Sequence, residues 1–249
     1  MNKEQLLGSQ TAKNGFKNED EMVRKFNNWE KDEEAQKWLV IMGYDLKEIE
    51  FVKAVKISGH KTDVQAQVTI KLKEAIDVQN LQVKLVSNKS GFNQIDKRWI
   101  DKYVEMWNIP DDIVTVLKRY TGEIKPNIKN PKDERRMHMT EFPKAIQKKV
   151  LKWFSANKSL IVSDILKGRG QFAAEWMLVA LKVEVNSEWV LKPMNYCLNF
   201  YGNGEVAITK LGTIKIGRIT CQRKGGDGGR KTAQMLQFKI DPTQLFNGE

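Results

Sequence analysis

The chain has 249 residues, 41% of them hydrophobic and 29% charged, which fits a globular protein with one large domain or a domain with a subdomain. Lys and Arg number 42 against 31 Asp and Glu, and the resulting charge of +11 favours a polyanionic partner, with nucleic acid as the first candidate and an anionic membrane surface as the rival. The absence of any apolar run of about 18 residues excludes a membrane span. The isolated Cys197 and Cys221 do not indicate a disulfide framework, so we expect a cytoplasmic protein.

The first part of the chain predicts two helices followed by a β region. Apolar residues at helical spacing predict a helix over 18–29 and a second over 32–43, which Gly43 closes. Alternating apolar and polar residues then predict three strands, over 52–58, 63–72 and 78–87. We expect the last of these strands to be half-buried, with its apolar side chains on one face.

The second part predicts further helices and then strands. Helical patterns cover 97–121, 141–154 and 170–182. The segment 122–136 contains two prolines and several charges but no apolar period, so it is the best candidate for a linker. Strands and turns follow to the C-terminus.

Three polar residues of the predicted strands, Asp63, Gln82 and Lys84, suit a metal-dependent hydrolytic site. Gln82 and Lys84 are two residues apart, so their side chains share one strand face. Hydrolysis of a phosphodiester needs a hard cation, which takes carboxylate, amide and carbonyl oxygens as ligands. A nearby lysine can orient or deprotonate the attacking water, or stabilise charge on the phosphoryl group. The ordinary alternative is a solvated strand face.

The spacing of these residues raises a geometric difficulty. In a hairpin that turns near Ala75, Asp63 pairs near Ser87 rather than with Gln82. The offset is about five residues, roughly 16 Å at the rise of a strand. The three side chains meet only if the strands splay or a bulge re-aims them.

Longer stretches of the sequence carry a family resemblance. The pair "TD" at 62–63, eighteen intervening residues and "QVK" at 82–84 resemble a variant of the PD-(D/E)XK nuclease motif. The phrases "TAKNGFKNE", "QVKLVSNKSGFNQIDKRW", "RRMHMTEF", "ILKGRGQFAAEW" and "QRKGGDGGRKTAQMLQFKIDPTQLF" are more specific. They resemble the HinP-type restriction endonucleases, which recognise GCGC and are related to MspI. The resemblance runs from about residue 10 to the C-terminus.

The resemblance implies an α/β fold with a PD-(D/E)XK nuclease core, a mixed β-sheet flanked by helices, and a C-terminal DNA-recognition subdomain. The corresponding division is a catalytic core over 1–125 and a recognition subdomain over 126–249. The implied activity is that of a type II restriction endonuclease, which hydrolyses double-stranded DNA with Mg2+ and leaves 5′-phosphate and 3′-hydroxyl ends. We expect no membrane partner. A cognate DNA methyltransferase is expected in the same host without direct contact, and the protein is expected to be a monomer or weak dimer.

Carried over by position, the resemblance makes Asp63 and Gln82 metal ligands, the Val83 carbonyl a third ligand and Lys84 the catalytic lysine. Glu19, on the first helix, could add charge for a second metal ion, and a solvated glutamate at a helix start is the alternative.

The superfamily usually has a carboxylate where this chain has Gln82, and an amide should hold cations less tightly. An inactive nuclease-fold DNA-binding protein is therefore one rival, and a structure-specific repair nuclease is another.

Two segments are candidates for contacts with DNA. Phe92 follows Gly91 in a polar loop after the catalytic strand, and it either anchors the loop to the body or inserts between base steps. Gln94 and Lys97 would then approach base edges or phosphates.

The second segment, "QRKGGDGGR" at 222–230, is either a tight solvated hairpin loop or a reader of base edges. Basic side chains match guanine and an aspartate accepts from cytosine, so its candidate DNA-binding residues are Gln222, Arg223, Lys224, Asp227 and Arg230. A further phrase, "KGRG" at 167–170, either holds a phosphate at the start of the predicted helix or forms a turn. We expect His60 and His138 to be structural or incidental.

Overall fold

The structure of the chain is a computed structural model that describes residues 3–57, 65–88, 91–183, 186–226 and 229–247. Within these residues the chain forms seven α-helices and ten β-strands. The helices are α1 (Lys3–Asn27), α2 (Glu33–Ile41), α3 (Ile100–Trp107), α4 (Asp111–Thr121), α5 (Lys144–Ala156), α6 (Lys158–Leu166) and α7 (Met194–Gly202). The strands are β1 (Ile49–Ile57), β2 (Gln65–Leu72), β3 (Ile76–Val86), β4 (Asn93–Arg98), β5 (Trp176–Val183), β6 (Asn186–Pro193), β7 (Val206–Ile208), β8 (Ile214–Ile216), β9 (Ile219–Arg223) and β10 (Leu236–Ile240).

The chain divides into two compact units built from alternating segments. Within the described residues, the first unit comprises 9–93, 166–198 and 241–247, and the second comprises 3–8, 94–165 and 199–240. The units therefore do not follow the predicted ranges 1–125 and 126–249. The predicted linker lacks helix and strand, as expected, but it lies inside the second unit. The assignment of catalysis and recognition to the two ranges stays a prediction.

The first unit contains a five-stranded mixed sheet in the order β1-β2-β3-β5-β6. Neighbouring strands are antiparallel except β3 and β5, which run parallel. Apolar residues of α1 and α2 pack on one face of this sheet. Met22 and Phe26, four residues apart on α1, lie on the same side of that helix and are buried together with Trp38 of α2. The sheet contributes the remaining members of this core, among them Val52, Val68, Ile70, Leu81, Val83, Leu178 and Leu191.

The second unit contains the other sheet, in the order β4-β10-β9-β8-β7. Aromatic side chains dominate its core. Tyr103 stacks on Trp107 at 4.6 Å between ring centroids, and Phe238 of β10 meets Tyr103 edge to face at 5.4 Å. The indole of Trp107 donates to Asp164 (2.8 Å), and the buried hydroxyl of Tyr120 donates to the carbonyl of Cys221 (2.9 Å). These bonds satisfy the polar atoms that the aromatic residues bring into the core.

The predicted helix over 170–182 is wrong, because this segment contains strand β5. Its run "WMLVALKV" lies between β3 and β6, and Met177, Leu178, Val179 and Ala180 are all buried. A strand that is buried on both faces needs no polar alternation, so its apolar run is hard to tell from a buried helix.

Two other helical predictions need correction. The first helix begins at Lys3 rather than near residue 18. The predicted helix over 97–121 is strand β4 followed by α3 and α4, which are separated where Asn108 takes a left-handed conformation (φ 49°) before Pro110. Among the described residues, no helix has both the length and the apolar character that crossing a membrane requires.

Candidate active site

The register of β2 against β3 differs from the predicted hairpin. The amide of Leu72 donates to the carbonyl of Ala75 (2.8 Å), so the turn lies before Ala75 rather than at it. As a result Gln65 is the partner of Gln82, whereas a turn at Ala75 would have placed it opposite residue 85. Asp63 itself lies outside the described residues. The observed pairing brings the described end of β2 to Gln82 without a splay or a bulge in the paired stretch.

Strand β3 carries a row of polar side chains on one face. Asn80, Gln82 and Lys84 are spaced by two residues, so they point to the same side of the sheet. All three are buried: Gln82 is 0% exposed and Lys84 is 6% exposed. The prediction of a half-buried strand is therefore wrong for 80–84, because successive side chains there are buried and both faces of β3 are covered. A solvated strand face, the ordinary alternative, is excluded.

The amide of Gln82 is an unusual buried group. Neither its oxygen nor its nitrogen has a hydrogen-bond partner among the residues that the structure describes. A buried polar group without a partner costs about 1–3 kcal/mol, so such groups are rare and often functional. An amide oxygen is a ligand that hard cations accept, and the chemistry of Gln82 therefore fits a metal ligand.

The described part of the chain does not contain a cluster of acidic side chains that would complete a metal site. Within it, no group of three or more His, Cys, Asp and Glu side chains lies close enough together to hold a metal ion. Asp63, the expected partner of Gln82, falls outside that part. The side chain of Val83 packs into the core of the first unit, on the face of β3 opposite to Gln82 and Lys84.

Glu19 does not lie at a solvated helix start. It lies inside α1 and is 7% exposed, which excludes the alternative of a solvated residue. Its neighbour Asn18 is also buried, and the side-chain amide of Asn18 has no partner within the described ranges. One turn further on, Met22 enters the apolar core. This part of α1 thus changes from buried polar to buried apolar residues.

The loop candidates for DNA contacts differ in their exposure. Phe92 is 54% exposed, so it does not anchor its loop by packing on the body. Gln94 and Lys97 lie on strand β4 and not in a loop. Because they are three residues apart on a strand, their side chains point to opposite faces of it, and they cannot act as one contact.

The segment 222–230 continues the β9–β10 hairpin. The amides of Lys224 and Gly225 donate to the carbonyls of Met235 (2.8 Å) and Ala233 (2.9 Å). Gly225 and its neighbour at 226 have φ values of 65° and 61°, which a side chain would strain. Gln222 pairs with Gln237 across the two strands, Arg230 is exposed, and Asp227 lies outside the described residues.

Arg223 is held in place more firmly than a surface arginine. Its Nη1 donates to the main-chain carbonyl of Thr121 at the end of α4 (3.0 Å). Burial lowers the pKa of its guanidinium, and the positive charges of Arg135 and Arg136 lower it further. One of its donors is therefore committed to the protein itself.

The segment 167–170 is not followed by an α-helix. It leads into a single 3₁₀ turn over Gly170–Phe172 and then into β5. Gly168 and Gly170 have φ values of 81° and 76°, as a turn requires. The turn interpretation is correct, and the expected phosphate site at a helix N-terminus is wrong.

The model of the R.HinP1I restriction endonuclease family matches residues 42–246. The chain belongs to this family. No curated protein gave a significant match. Among solved structures, the chain is similar to the crystal structure of restriction endonuclease MspI in complex with its cognate DNA, with a TM-score of 0.59 and 12% identity over 86% of this chain and 80% of that chain. At that identity the similarity shows a shared fold.

Membership in the R.HinP1I family makes the protein a restriction endonuclease, a site-specific deoxyribonuclease. Restriction endonucleases of this kind generally use divalent metal ions. Its mixed α/β fold is consistent with the PD-(D/E)XK nucleases. The matched range includes Gln82 and Lys84 and the segment 222–230, whereas Glu19 precedes it.

A buried polar residue beside this site, Asn80, did not stand out in the sequence. Asn80 continues the row of Gln82 and Lys84, and its side-chain oxygen accepts from Gln67 (3.2 Å) while its nitrogen donates to the carbonyl of Gln171 (2.9 Å). The signal was present, because Asn80 is two residues before Gln82. Its burial could not be read from the sequence, since its partners at Gln171 and Ala173 are distant in the chain.

Proposed function

We propose that the protein is a type II restriction endonuclease that hydrolyses double-stranded DNA at GCGC in the presence of Mg2+, leaving 5′-phosphate and 3′-hydroxyl ends. The observation that carries the proposal is the buried Gln82 amide, which has no partner among the described residues and lies two residues from the buried Lys84 in a member of a restriction endonuclease family. The GCGC site is proposed from the sequence resemblance.

The proposed roles follow from the chemistry of each group. Asp63, the Gln82 amide oxygen and the Val83 carbonyl hold Mg2+, and Glu19 adds charge for a second ion. Bound Mg2+ supplies positive charge to the phosphoryl group in the transition state. Lys84 orients or deprotonates the attacking water. Burial of Lys84 supports this role, because a lysine in low dielectric is seldom retained without a specific partner.

The proposed partner is double-stranded DNA. The net charge of +11 supports it, and so does the likeness to MspI, whose structure was solved with its cognate DNA. Phe92 inserts between base steps, and the 222–230 segment reads base edges through Gln222, Lys224, Asp227 and Arg230. Gln94 and Lys97, on opposite faces of β4, make separate contacts. The protein acts in the cytoplasm as a monomer or weak dimer, and a cognate methyltransferase protects the host DNA without contacting it.

The test is digestion of unmethylated plasmid DNA of known sequence. With Mg2+ we expect discrete fragments whose ends, when sequenced, all lie at GCGC, and no cleavage after the metal is chelated. Asp63→Ala should abolish cleavage and leave DNA binding largely intact, because it removes the charged ligand.

Three results would contradict the proposal. Binding without any cleavage would support an inactive DNA-binding protein, and cleavage confined to branched or damaged DNA would support a repair nuclease. An Asp63→Ala variant that cuts at near wild-type rate would place the site elsewhere.

A further inference from the structure

Three arginines meet beside the C-terminal end of α4 in the second unit. Asp133 accepts two bonds from Arg135, from Nε at 2.8 Å and from Nη2 at 3.1 Å, and it forms an ion pair with Arg136 at 3.5 Å. The guanidinium of Arg135 holds the pKa of the Asp133 carboxyl down at about 2, so this carboxylate is ionised at neutral pH. Asp133 therefore fixes the direction of both guanidinium groups.

Arg223 joins the same cluster from strand β9. A Cβ added at Gly122 would clash with the carbonyl oxygen of Arg135 and would lie 2.5 Å from Nη1 of Arg223. Because Gly122 has no side chain, the main chain at 135 and the guanidinium of Arg223 can both lie close to it. The bond from Arg223 to the carbonyl of Thr121 then sets the position of that guanidinium.

The charges in this cluster do not balance. Asp133 is the carboxylate that the structure pairs with Arg135 and Arg136 within the described residues, so three guanidinium groups and one carboxylate leave a net charge of +2 (3 − 1). Burial lowers the pKa of Arg223 and the charges of Arg135 and Arg136 lower it further, whereas the charge of Asp133 acts in the opposite direction. The side chain of Arg135 is 76% exposed, so an anion can reach the cluster from solvent.

We propose that Arg135, Arg136 and Arg223 form a phosphate-binding cluster that holds the backbone of the DNA substrate. The inference rests on the proposed function. Planar guanidinium groups bind phosphate oxygens through two parallel bonds, and each keeps donors beyond those committed within the protein. Arg223 accordingly acts on a phosphate rather than on guanine, unlike its neighbours in the 222–230 segment. Phosphate contacts set position and register and carry no sequence information.

The experiment measures equilibrium binding of the full chain to a short GCGC duplex and to a random duplex, without divalent cation, between about 50 and 200 mM salt. In Arg135→Ala, the slope of log affinity against log salt should shrink by about 1, and in Arg135→Ala/Arg136→Ala by about 2. The ratio of specific to non-specific affinity should not change. Arg135→Lys keeps the charge and should keep the slope.

The matched control is Arg218→Ala, which removes an arginine of the same unit that lies over the Phe200 ring at 3.9 Å. It should leave the slope unchanged. An unchanged slope in a folded Arg135→Ala/Arg136→Ala protein would overturn the inference, and so would an equal loss in Arg218→Ala. A fall in the ratio of specific to non-specific affinity would also overturn it, because it would mean that the cluster contacts bases and not phosphates. The proposed function is tested independently by the plasmid digestion, and it fails if the wild type does not cut, whatever the salt dependence of binding.

Discussion

Asn80 and Gln82 point to the same face of β3, yet the structure gives their amides opposite surroundings. Asn80 is tied to the side chain of Gln67 and to the carbonyls of Gln171 and Ala173 (3.3 Å for the last). Gln82 has no hydrogen-bond partner among the described residues. Asn80 thus has a structural role in the sheet, whereas the Gln82 amide is available for a ligand.

Replacement of Gln82 should therefore change stability and activity in opposite directions. Gln82→Met keeps the shape and removes the amide, so we expect the free energy of unfolding of the metal-free protein to rise by about 1–3 kcal/mol. Cleavage should fall by about 100-fold or more, because a metal ligand is lost. Gln82→Glu should keep metal-dependent cleavage with an altered preference between Mg2+ and Mn2+.

Denaturant unfolding and single-turnover cleavage measure these two effects. A Gln82→Met protein that is less stable than wild type would mean that the amide has a protein partner. A variant that cuts normally would make Gln82 an ordinary strand residue.

Replacement of Lys84 should separate chemistry from binding. Lys84→Met keeps most of the buried stem and removes the ammonium group, so we expect cleavage to fall by about 100-fold or more while DNA affinity changes little. The control is Lys71→Met, which removes a half-exposed lysine paired with Glu50 in the same sheet and should cut normally. Rates under saturating enzyme and affinities by anisotropy test the pair. A parallel loss of binding in Lys84→Met would indicate that the lysine holds the substrate and not the water.

Replacement of Phe92 should affect DNA distortion without affecting the fold. Its ring is more than half exposed, so Phe92→Ala should change stability by no more than about 0.5 kcal/mol. We expect weaker binding to GCGC and a smaller fluorescence rise from 2-aminopurine placed in the site, because unstacking of the base step is lost. Leu211→Ala, which truncates the 82% exposed Leu211, is the control and should have no effect. An unchanged fluorescence rise in Phe92→Ala would exclude insertion.

Replacements in the 222–230 segment should reduce specificity. A bidentate base contact discriminates by about 1–3 kcal/mol, so Lys224→Ala, Asp227→Ala and Arg230→Ala should each lower the ratio of specific to non-specific affinity by roughly 5- to 150-fold. All measurements need one salt concentration, because affinity for any duplex depends on salt. If the ratio stays constant in all three variants, the segment does not read bases, and recognition must come from elsewhere, for instance from the 92–97 stretch.

Two glycines that end helices allow a matched test of packing. Gly43 (φ 95°) and Gly122 (φ 88°) are both left-handed, but a Cβ at Gly43 meets nothing within 4 Å, whereas one at Gly122 meets Arg135 and Arg223. Gly43→Ala should destabilise by about 1 kcal/mol, the cost of the backbone conformation. Gly122→Ala should cost clearly more in denaturant unfolding. Equal losses would mean that the neighbours of Gly122 move aside easily.

The strands that alternate were predictable, and the buried centre of the sheet was not. The alternation of apolar and polar residues in the sequence from Val64 to Leu72 indicated β2, and the apolar Val68 and Ile70 are buried. The run at 176–183 has no such alternation, since both of its faces are covered. The register was missed because it depends on where the turn before Ala75 closes, and the turn found there moves the partner of Gln65 by three residues, from 85 to 82.

The candidate site was predictable in its residue types, because Gln82 and Lys84 are two apart on a strand. Their burial was not, because it depends on the tertiary packing around β3, whose parallel neighbour β5 comes from more than ninety residues away in sequence. The arginine cluster was equally hidden, since Arg135 and Arg223 are brought together only by the end of α4 and the glycine at 122.

The parallel pairing of β3 with β5 also bears on the order of events during synthesis. Leu81–Val86 pair with Trp176–Leu181, so the strand that carries Gln82 and Lys84 lacks one of its two neighbours until those later residues have left the ribosome. Pairings between distant segments form late in folding. A nascent chain that ends before residue 176 therefore lacks the strand that pairs with this edge of β3. The sheet that holds Gln82 and Lys84 can therefore be complete only after about three quarters of the polypeptide has been made.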